Sequence, residues 1–228
     1  MTLGRPRLHL RETTSTNQRA RELAARGAPH GTLVTAGLQT AGRGRQGRTW
    51  TAPPGTALLL SLVLRESDTL TPLRAGLAVA DLAGGGARVK WPNDVLVDGR
   101  KVAGILVEGR PQEGWAVLGI GVNAALSVDD LPEELRTMAG TLGRSPRELE
   151  GALGELLAAL EHRLSEPTGG ALDALRERDA LLDRPVAWAG GEGVGAGIGE
   201  GGALLVRRAD GMVVGLEAGE VHLRTAAG

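Results

Sequence analysis

Val95-Leu96-Val97-Asp98-Gly99-Arg100-Lys101-Val102-Ala103-Gly104-Ile105-Leu106-Val107-Glu108 reads as two apolar runs around Asp98-Gly99, a dipeptide suited to a tight antiparallel turn. Working outward, Trp115 to Val122 is a further strand that closes at Asn123, and Gly31 to Leu38 and Ala57 to Leu64 have the same Val/Leu texture between turn residues. Helical spacing runs over Pro72 to Leu82 and ends in Gly84-Gly85-Gly86. Near the start, Ser15 and Gln18 are spaced as a capping box, so a helix is expected through Arg19 to Arg26 with its stop at Gly27. Asp129 to Asp179 reads as helical, most clearly from Ser145 to Leu164, where Ser145-Pro146 supplies the N-cap and first residue. After Arg184-Pro185 the texture changes to short Val/Leu runs, with Gly190 to Gly202 expected as long turns. The expected architecture is α+β: a mixed sheet flanked by helices over 1–181, and a small β module over 182–228. So small a module buries little by itself and should pack on the first.

The composition narrows the function classes. With 228 residues and a net charge of −1, the chain has no bulk polyanion-binding surface, only local basic sites. Zero cysteine excludes disulfides, a thiolate zinc site and a cysteine nucleophile. His9, His30, His162 and His222 have no ligand spacing, so no transition-metal site is expected. No apolar signal segment opens the chain, and its longest apolar run, Ala57 to Leu64, is strand-sized. A cytoplasmic protein without membrane contact is expected.

Two residue types survive a bias against them. Lys90 and Lys101 are the only lysines among 26 basic residues, and Asn17, Asn93 and Asn123 are the only asparagines. Lysine differs from arginine as a compact, flexible point charge, which makes Lys101, at the start of the returning strand, a candidate for chemistry. An exposed hairpin lysine is the other reading. Gly104, three residues on, removes a side chain and opens space for a ligand. Lys90 alternates as a solvent-facing strand residue would, and Asn93-Asp94 after Pro92 also reads as an ordinary turn.

Gly42-Arg43-Gly44-Arg45-Gln46-Gly47-Arg48-Thr49-Trp50 matches G-x-G-x-x-G literally and is one residue from a P-loop. Both motifs need a helix directly after the glycines, and Thr51-Ala52-Pro53-Pro54 cannot supply one. What remains is a loop whose backbone can approach a ligand and whose Arg43, Arg45 and Arg48 offer three guanidinium groups to carboxylate or phosphate oxygens. A solvated basic turn or an Arg/Gly nucleic-acid loop reads equally from these residues alone.

Together these segments resemble the biotin–protein ligase family. The resemblance rests on Ser15-Thr16-Asn17, Gln39 with the 42–50 loop, Lys90 to Asp94, Lys101 to Leu106 with Glu108, and Gly119-Ile120-Gly121-Val122-Asn123. It implies a catalytic domain like that of class II synthetases and an SH3-like C-terminal barrel. It further implies biotin and ATP as substrates with Mg²⁺, and biotinyl-5′-AMP as intermediate. The biotin carboxyl carrier domain of a biotin-dependent carboxylase would receive the biotin. The biotin-binding residues would be Ser15, Thr16, Asn17, Gln39, Arg43, Gly44, Arg45, Lys101 and Gly104. The nucleotide would meet Arg43, Arg45, Arg48, Trp50, Lys101, Asn123 and Arg224. Lys101 would be the pivot of catalysis, Arg45 would order the loop over the adenylate, and Asp94 would serve the incoming amine. Because 14 residues precede Ser15, too few for a winged helix, a ligase without DNA binding is expected; a homodimer is compatible with the resemblance. The bland readings stay beside these: Ser15 as a helix cap, Trp50 as core, Asn123 as a left-handed turn, Arg224 as a surface arginine. Rival functions are a lipoate or octanoyl protein ligase and a noncatalytic RNA-binding protein.

Overall fold

The computed structural model describes residues 3–217, 219 and 221–223, with the Pro111 side chain left aside. In chain order the elements are β1 (Arg7–Leu10), α1 (Thr16–Ala25), β2 (Leu33–Ala36), β3 (Leu58–Leu64), α2 (Thr71–Ala83), β4 (Arg88–Lys90), β5 (Asp94–Val97), β6 (Arg100–Arg110) and β7 (Trp115–Val122). Then follow the single turn α3 (Glu133–Arg136), α4 (Leu149–Ser165), α5 (Thr168–Arg178), β8 (Pro185–Trp188), β9 (Gly191–Ile198), β10 (Leu204–Arg207), β11 (Val213–Leu216) and β12 (His222–Leu223).

The first seven strands form one sheet in the order β1-β2-β3-β7-β6-β5-β4. Only β1 and β2 pair in parallel; every other neighbour is antiparallel, so the sheet is mixed. The Leu58–Leu64 run is apolar throughout because both faces are covered. Leu58, Leu60, Leu62 and Leu64 join the main core with α2 and α4, and Val63 joins a second cluster with Ala20 and Ala24 of α1. On β7, Leu118, Ile120 and Val122 face the main core, and the alternate residues are Val117, then Gly119 and Gly121. Helix α1 therefore covers only part of its face. The remainder, from Leu59 and Ser61 to the two glycines, is left for the site.

The C-terminal strands form a second sheet, β11-β10-β9-β8-β12, antiparallel throughout. It packs on the first as its size requires: Leu181, Val186, Ile198, Leu204 and Val206 belong to the same buried cluster as Leu73 and Val89. Trp91 Nε1 donates to Gly202 O at 2.9 Å and Thr69 Oγ1 to Gly201 O at 2.8 Å.

Three expectations need correction. Gly190 to Gly202 is not a pair of long turns, because it contains the eight-residue strand β9. Side chains there are excluded by contact: a Cβ on Gly193 would lie 2.5 Å from Arg207 O, and one on Gly195 would overlap Leu181 O. Nor is 129–179 helical throughout. β7 ends opposite Ala103, which leaves the edge of β6 open at Lys101, and residues 138–140 fill it. Lys101 N donates to Met138 O at 2.7 Å and Gly140 N to Lys101 O at 2.8 Å. Finally, Ser15 is the residue before α1, yet its side chain makes no capping bond, and Gln18 instead meets Thr14 and Glu22.

Candidate functional site

Lys101 reaches the site because β6 is bulged. Val95 pairs with Ala103 but Leu96 pairs with Lys101, so Val102 is an extra residue in the strand. Strict alternation would put Lys101 on the core face with Ala103 and Ile105. The bulge re-aims it, as bulges near functional sites do. Val102 and Ala103 are both buried in the core, and Lys101 lies over Gly104. Its Nζ is 2.7 Å from Asp94 Oδ1, on the neighbouring strand. The approach is off the hydrogen-bonding direction, leaving that oxygen without a directed partner among the described residues. The pair is an electrostatic contact worth about 0–1 kcal/mol net at this partial exposure. A ligand carboxylate or phosphate can compete for that ammonium.

The space above Gly104 holds an indole rather than standing open. A Cβ on Gly104 would lie 3.1 Å from Trp50 Cζ3, and one on Gly121 would lie 2.5 Å from Trp50 Cε2. The glycines thus admit the Trp50 ring flat against the sheet, with Lys101 Nζ 5.8 Å from its centroid. Trp50 Nε1 is buried without a hydrogen-bond partner among the described residues. The ring belongs to the wall of the cleft and not to the main core.

The Arg/Gly segment is a tight hairpin. Gly44 N donates to Arg48 O at 2.7 Å, Trp50 N to Gly42 O at 3.0 Å, and Arg43 bridges Thr49. Two of its arginines reach groups carried by the sheet. Arg43 reaches Glu108 at 3.4 Å; Arg45 donates to Asn93 Oδ1 at 3.3 Å and to Gly219 O, in the C-terminal part, at 3.2 Å. Asn93 Nδ2 in turn donates to Ile105 O, so Asn93-Asp94 is more than an isolated turn.

The inner end of the cleft is polar and buried. Ser15, Thr16 and Asn17 are each under 5% exposed. Gln39 Oε1 accepts from Thr16 N at 2.7 Å and lies 3.0 Å from Thr16 Oγ1. Below them Ser61 Oγ is 2.8 Å from Thr16 Oγ1 and 2.6 Å from Asn17 Oδ1, and Asn17 Nδ2 donates to Glu108 Oε2 at 2.9 Å. Asn17 lies over Gly119, where a Cβ would overlap its amide oxygen.

Every residue selected from the sequence, save one, lines one cleft of about 690 Å³: Ser15, Thr16, Asn17 and Gln39; Arg43, Gly44, Arg45, Arg48 and Trp50; Asp94, Lys101, Gly104 and Asn123. Arg224 lies outside the described residues. Lys90, expected to face solvent, also lines this cleft. Asn123 is not a left-handed turn; its Nδ2 donates to Gly140 O at 3.0 Å and to Lys101 O at 3.4 Å, holding the 138–140 strip. A larger hollow of about 1000 Å³ lies across the 42–50 hairpin, beside Thr69, Leu73 and Gly202, but touches none of Thr16, Gln39, Trp50 or Lys101. The smaller cleft is therefore the candidate site. Sequence reasoning passed over Ser61, although a lone hydroxyl inside a leucine run was a usable signal, and gave Glu108 no role. It also missed Leu135 and Met138, which line the rim and are 36% and 63% exposed.

Fold and cleft together describe a mixed sheet that carries a cation-lined cleft beside a small antiparallel sheet. The sequence pattern of the Biotin/lipoate A/B protein ligase family matches residues 10–124. The biotin–[acetyl-CoA-carboxylase] ligase of Paracoccus denitrificans is 35% identical over 224 residues, covering 87% of this chain and 92% of that protein. The bifunctional ligase/repressor BirA of Bacillus spizizenii is 39% identical over 165 residues, 66% of this chain and 51% of that protein. The chain thus spans about half the length of the Bacillus relatives it matches. Among solved structures, the biotin protein ligase of Aquifex aeolicus in complex with biotin and ATP superposes with a TM-score of 0.84 at 27% identity, covering 97% of this chain and 100% of that one. The chain belongs to the biotin/lipoate A/B protein ligase family.

Proposed function

We propose that the chain is an ATP-dependent biotin–protein ligase. One juxtaposition carries the reading: Lys101 Nζ stands over Gly104 beside Trp50, in a cleft whose buried end presents Thr16 and Gln39. A cyclic urea with a carboxylate tail matches that order, its ring at the polar end and its carboxylate at the ammonium. In the first step the biotin carboxylate oxygen attacks the α-phosphorus of ATP. The new C–O–P link forms as the bond to the β-phosphate oxygen breaks, and pyrophosphate leaves with that electron pair. Lys101 neutralises the two anions as they meet, and Arg43, Arg45 and Arg48 offset charge on the phosphates. In the second step the amine of an acceptor lysine attacks the acyl carbon, a C–N bond forms, and AMP leaves. Asp94, 2.7 Å from Lys101, orients the ammonium and receives the proton released by that amine.

Trp50 and Asn123 would line the adenine end. Mg²⁺ would arrive on the phosphates of ATP: no group of three or more acidic or histidine side chains is gathered for a metal among the described residues. The carboxylates nearest the cleft, Asp94 and Glu108, already face cations. The acceptor is a biotin carboxyl carrier domain. The C-terminal sheet, taken as an SH3-like domain over 182–228, would help hold the loop through Gly219.

Biotin-dependent exchange of labelled pyrophosphate into ATP, without carrier protein, tests the reading. Exchange with biotin and none with lipoate is expected. Exchange only with lipoate would favour the other branch of the family, and folded chain that binds biotin without exchange would sink the adenylation step. An RNA-binding role is disfavoured because Arg43 and Arg45 are engaged with Glu108 and Asn93 of the chain itself.

A further inference from the structure

Beneath the cleft, two hydroxyl protons are shared among three close oxygen pairs: Ser61 with Asn17 Oδ1, Ser61 with Thr16, and Thr16 with Gln39 Oε1. Glu108 carboxylate oxygens can only accept, so Asn17 must present Nδ2 to them, and its Oδ1 is thereby turned to Ser61. Asn17 Oδ1 cannot donate, so the single proton of Ser61 is spent on it, across 2.6 Å. The second contact of Ser61, 2.8 Å to Thr16 Oγ1, is then favourable only if Thr16 donates to Ser61. The competing acceptor for the Thr16 proton, Gln39 Oε1 at 3.0 Å, already receives Thr16 N–H at 2.7 Å, so the shorter and wholly buried contact to Ser61 takes that proton. Were the proton turned to Gln39, Ser61 and Thr16 would face each other lone pair to lone pair, with Ser61 wholly buried and no water to intervene.

We infer that Ser61 and Glu108 are positioning residues that set the hydrogen-bond polarity of the cleft, making Thr16 Oγ1 an acceptor toward the ligand beside Gln39, whose donating Nε2 side is fixed by Thr16 N–H. The inference rests on the biotin reading for its ligand: an acceptor beside a donor is what the N–H and C=O edge of a cyclic urea demands. Glu108 acts at a distance. It is held by Arg21 at 3.3 Å and by Arg43 of the hairpin at 3.4 Å, so the residue that orients Asn17 is tied to the segment closing over the ligand. Gly119 belongs to the device, since a side chain there would displace Asn17.

The test has two arms, both on the full chain. In the first, the side-chain amide of Asn17, one of three asparagines, is followed by NMR hydrogen exchange without ligand. It should be protected in the unaltered chain and lose protection in Ser61→Ala. In the second, biotin affinity is measured calorimetrically for Ser61→Ala, Thr16→Val and the double variant, with thermal melts to check the fold. Each single change should weaken biotin about tenfold. The double variant should be no weaker than the weaker single one, because Ser61 acts through the Thr16 hydroxyl. Additive losses, or a freely exchanging Asn17 amide in the unaltered chain, would overturn the inference. An unaltered chain that binds no biotin, with its Asn17 amide still protected, would instead overturn the proposed function and support the polarity of the chain of bonds.

Discussion

Lys101 illustrates how much one residue draws from its surroundings. Its chemistry is that of a point charge, its aim comes from a bulge, and its resting partner Asp94 is a carboxylate that a substrate carboxylate can replace. Lys101→Ala should lower pyrophosphate exchange at least about 100-fold, the scale for removing a preorganised cation from a reacting centre, with the melting temperature little changed. Lys101→Arg should fail nearly as badly, because a planar guanidinium fork does not reproduce the compact point charge that Nζ places 2.7 Å from Asp94 Oδ1. Normal turnover in either variant would remove the pivot from the mechanism.

Elements act through what they exclude and what they tie together. β7 presents Gly119 and Gly121 to the site while its alternate residues pack the core, so a methyl group on either glycine is felt by the site first. Gly121→Ala should push Trp50 off the sheet, visible as a change in tryptophan fluorescence, and weaken ATP binding about tenfold; an unchanged spectrum would mean the ring is not seated there in solution. The 42–50 hairpin keeps its own backbone bonds without Arg45, but Arg45 supplies the ties to Asn93 and Gly219. Arg45→Gly should therefore speed escape of the adenylate, read as labelling of bystander lysines. A variant that stays selective for its carrier would refute the closure role.

For the whole molecule, the joint between the two sheets runs through a buried acid. Burial is the main influence on Asp179 and pushes its carboxyl up, against backbone hydrogen bonds from Leu181 and Leu182. A carboxyl raised in the fold keeps its proton longer there than in the open chain. Its contribution is thus favourable at low pH and is lost as pH climbs from the ordinary value through the raised one. Asp179→Asn should stabilise the protein near pH 7 by about 1 kcal/mol, or about 2–4 °C in melting temperature for a chain of this size, and by less at pH 4. Asp81 works in the opposite sense. Burial pushes it up too, but Arg163 and Arg178 outweigh that and hold it below the usual range. The stability it adds is present above the ordinary carboxylate value and fades as pH falls through the lowered one. A melt series from pH 7 to pH 3 should show Asp81→Asn losing its disadvantage at the acid end.

Much of this protein is determined by local sequence. Asp98 and Gly99 adopt positive φ, at 50° and 75°, and the hairpin follows from them; α1 stops where Gly27 turns left-handed; Pro53-Pro54 keeps a helix away from the Arg/Gly loop. These are matters of φ, ψ and missing N–H groups, settled within a few residues. The set of residues gathered in the cleft was legible in two ways: rare residue types in a biased composition marked Lys101, Asn17 and Asn123, and the remainder were implied by the resemblance to the family's motifs. What only the tertiary structure decided depends on atoms distant along the chain. The bulge at Val102 exists because β5 and β7 set different registers against β6. Strand β9 exists because Leu181 and Arg207 leave room for glycine alone. Ser61 gains its role from Asn17, 44 positions earlier, and Glu108 from Asn17, 91 positions away. A hydrogen bond needs its partner in place before it has a direction, and no local pattern contains that partner.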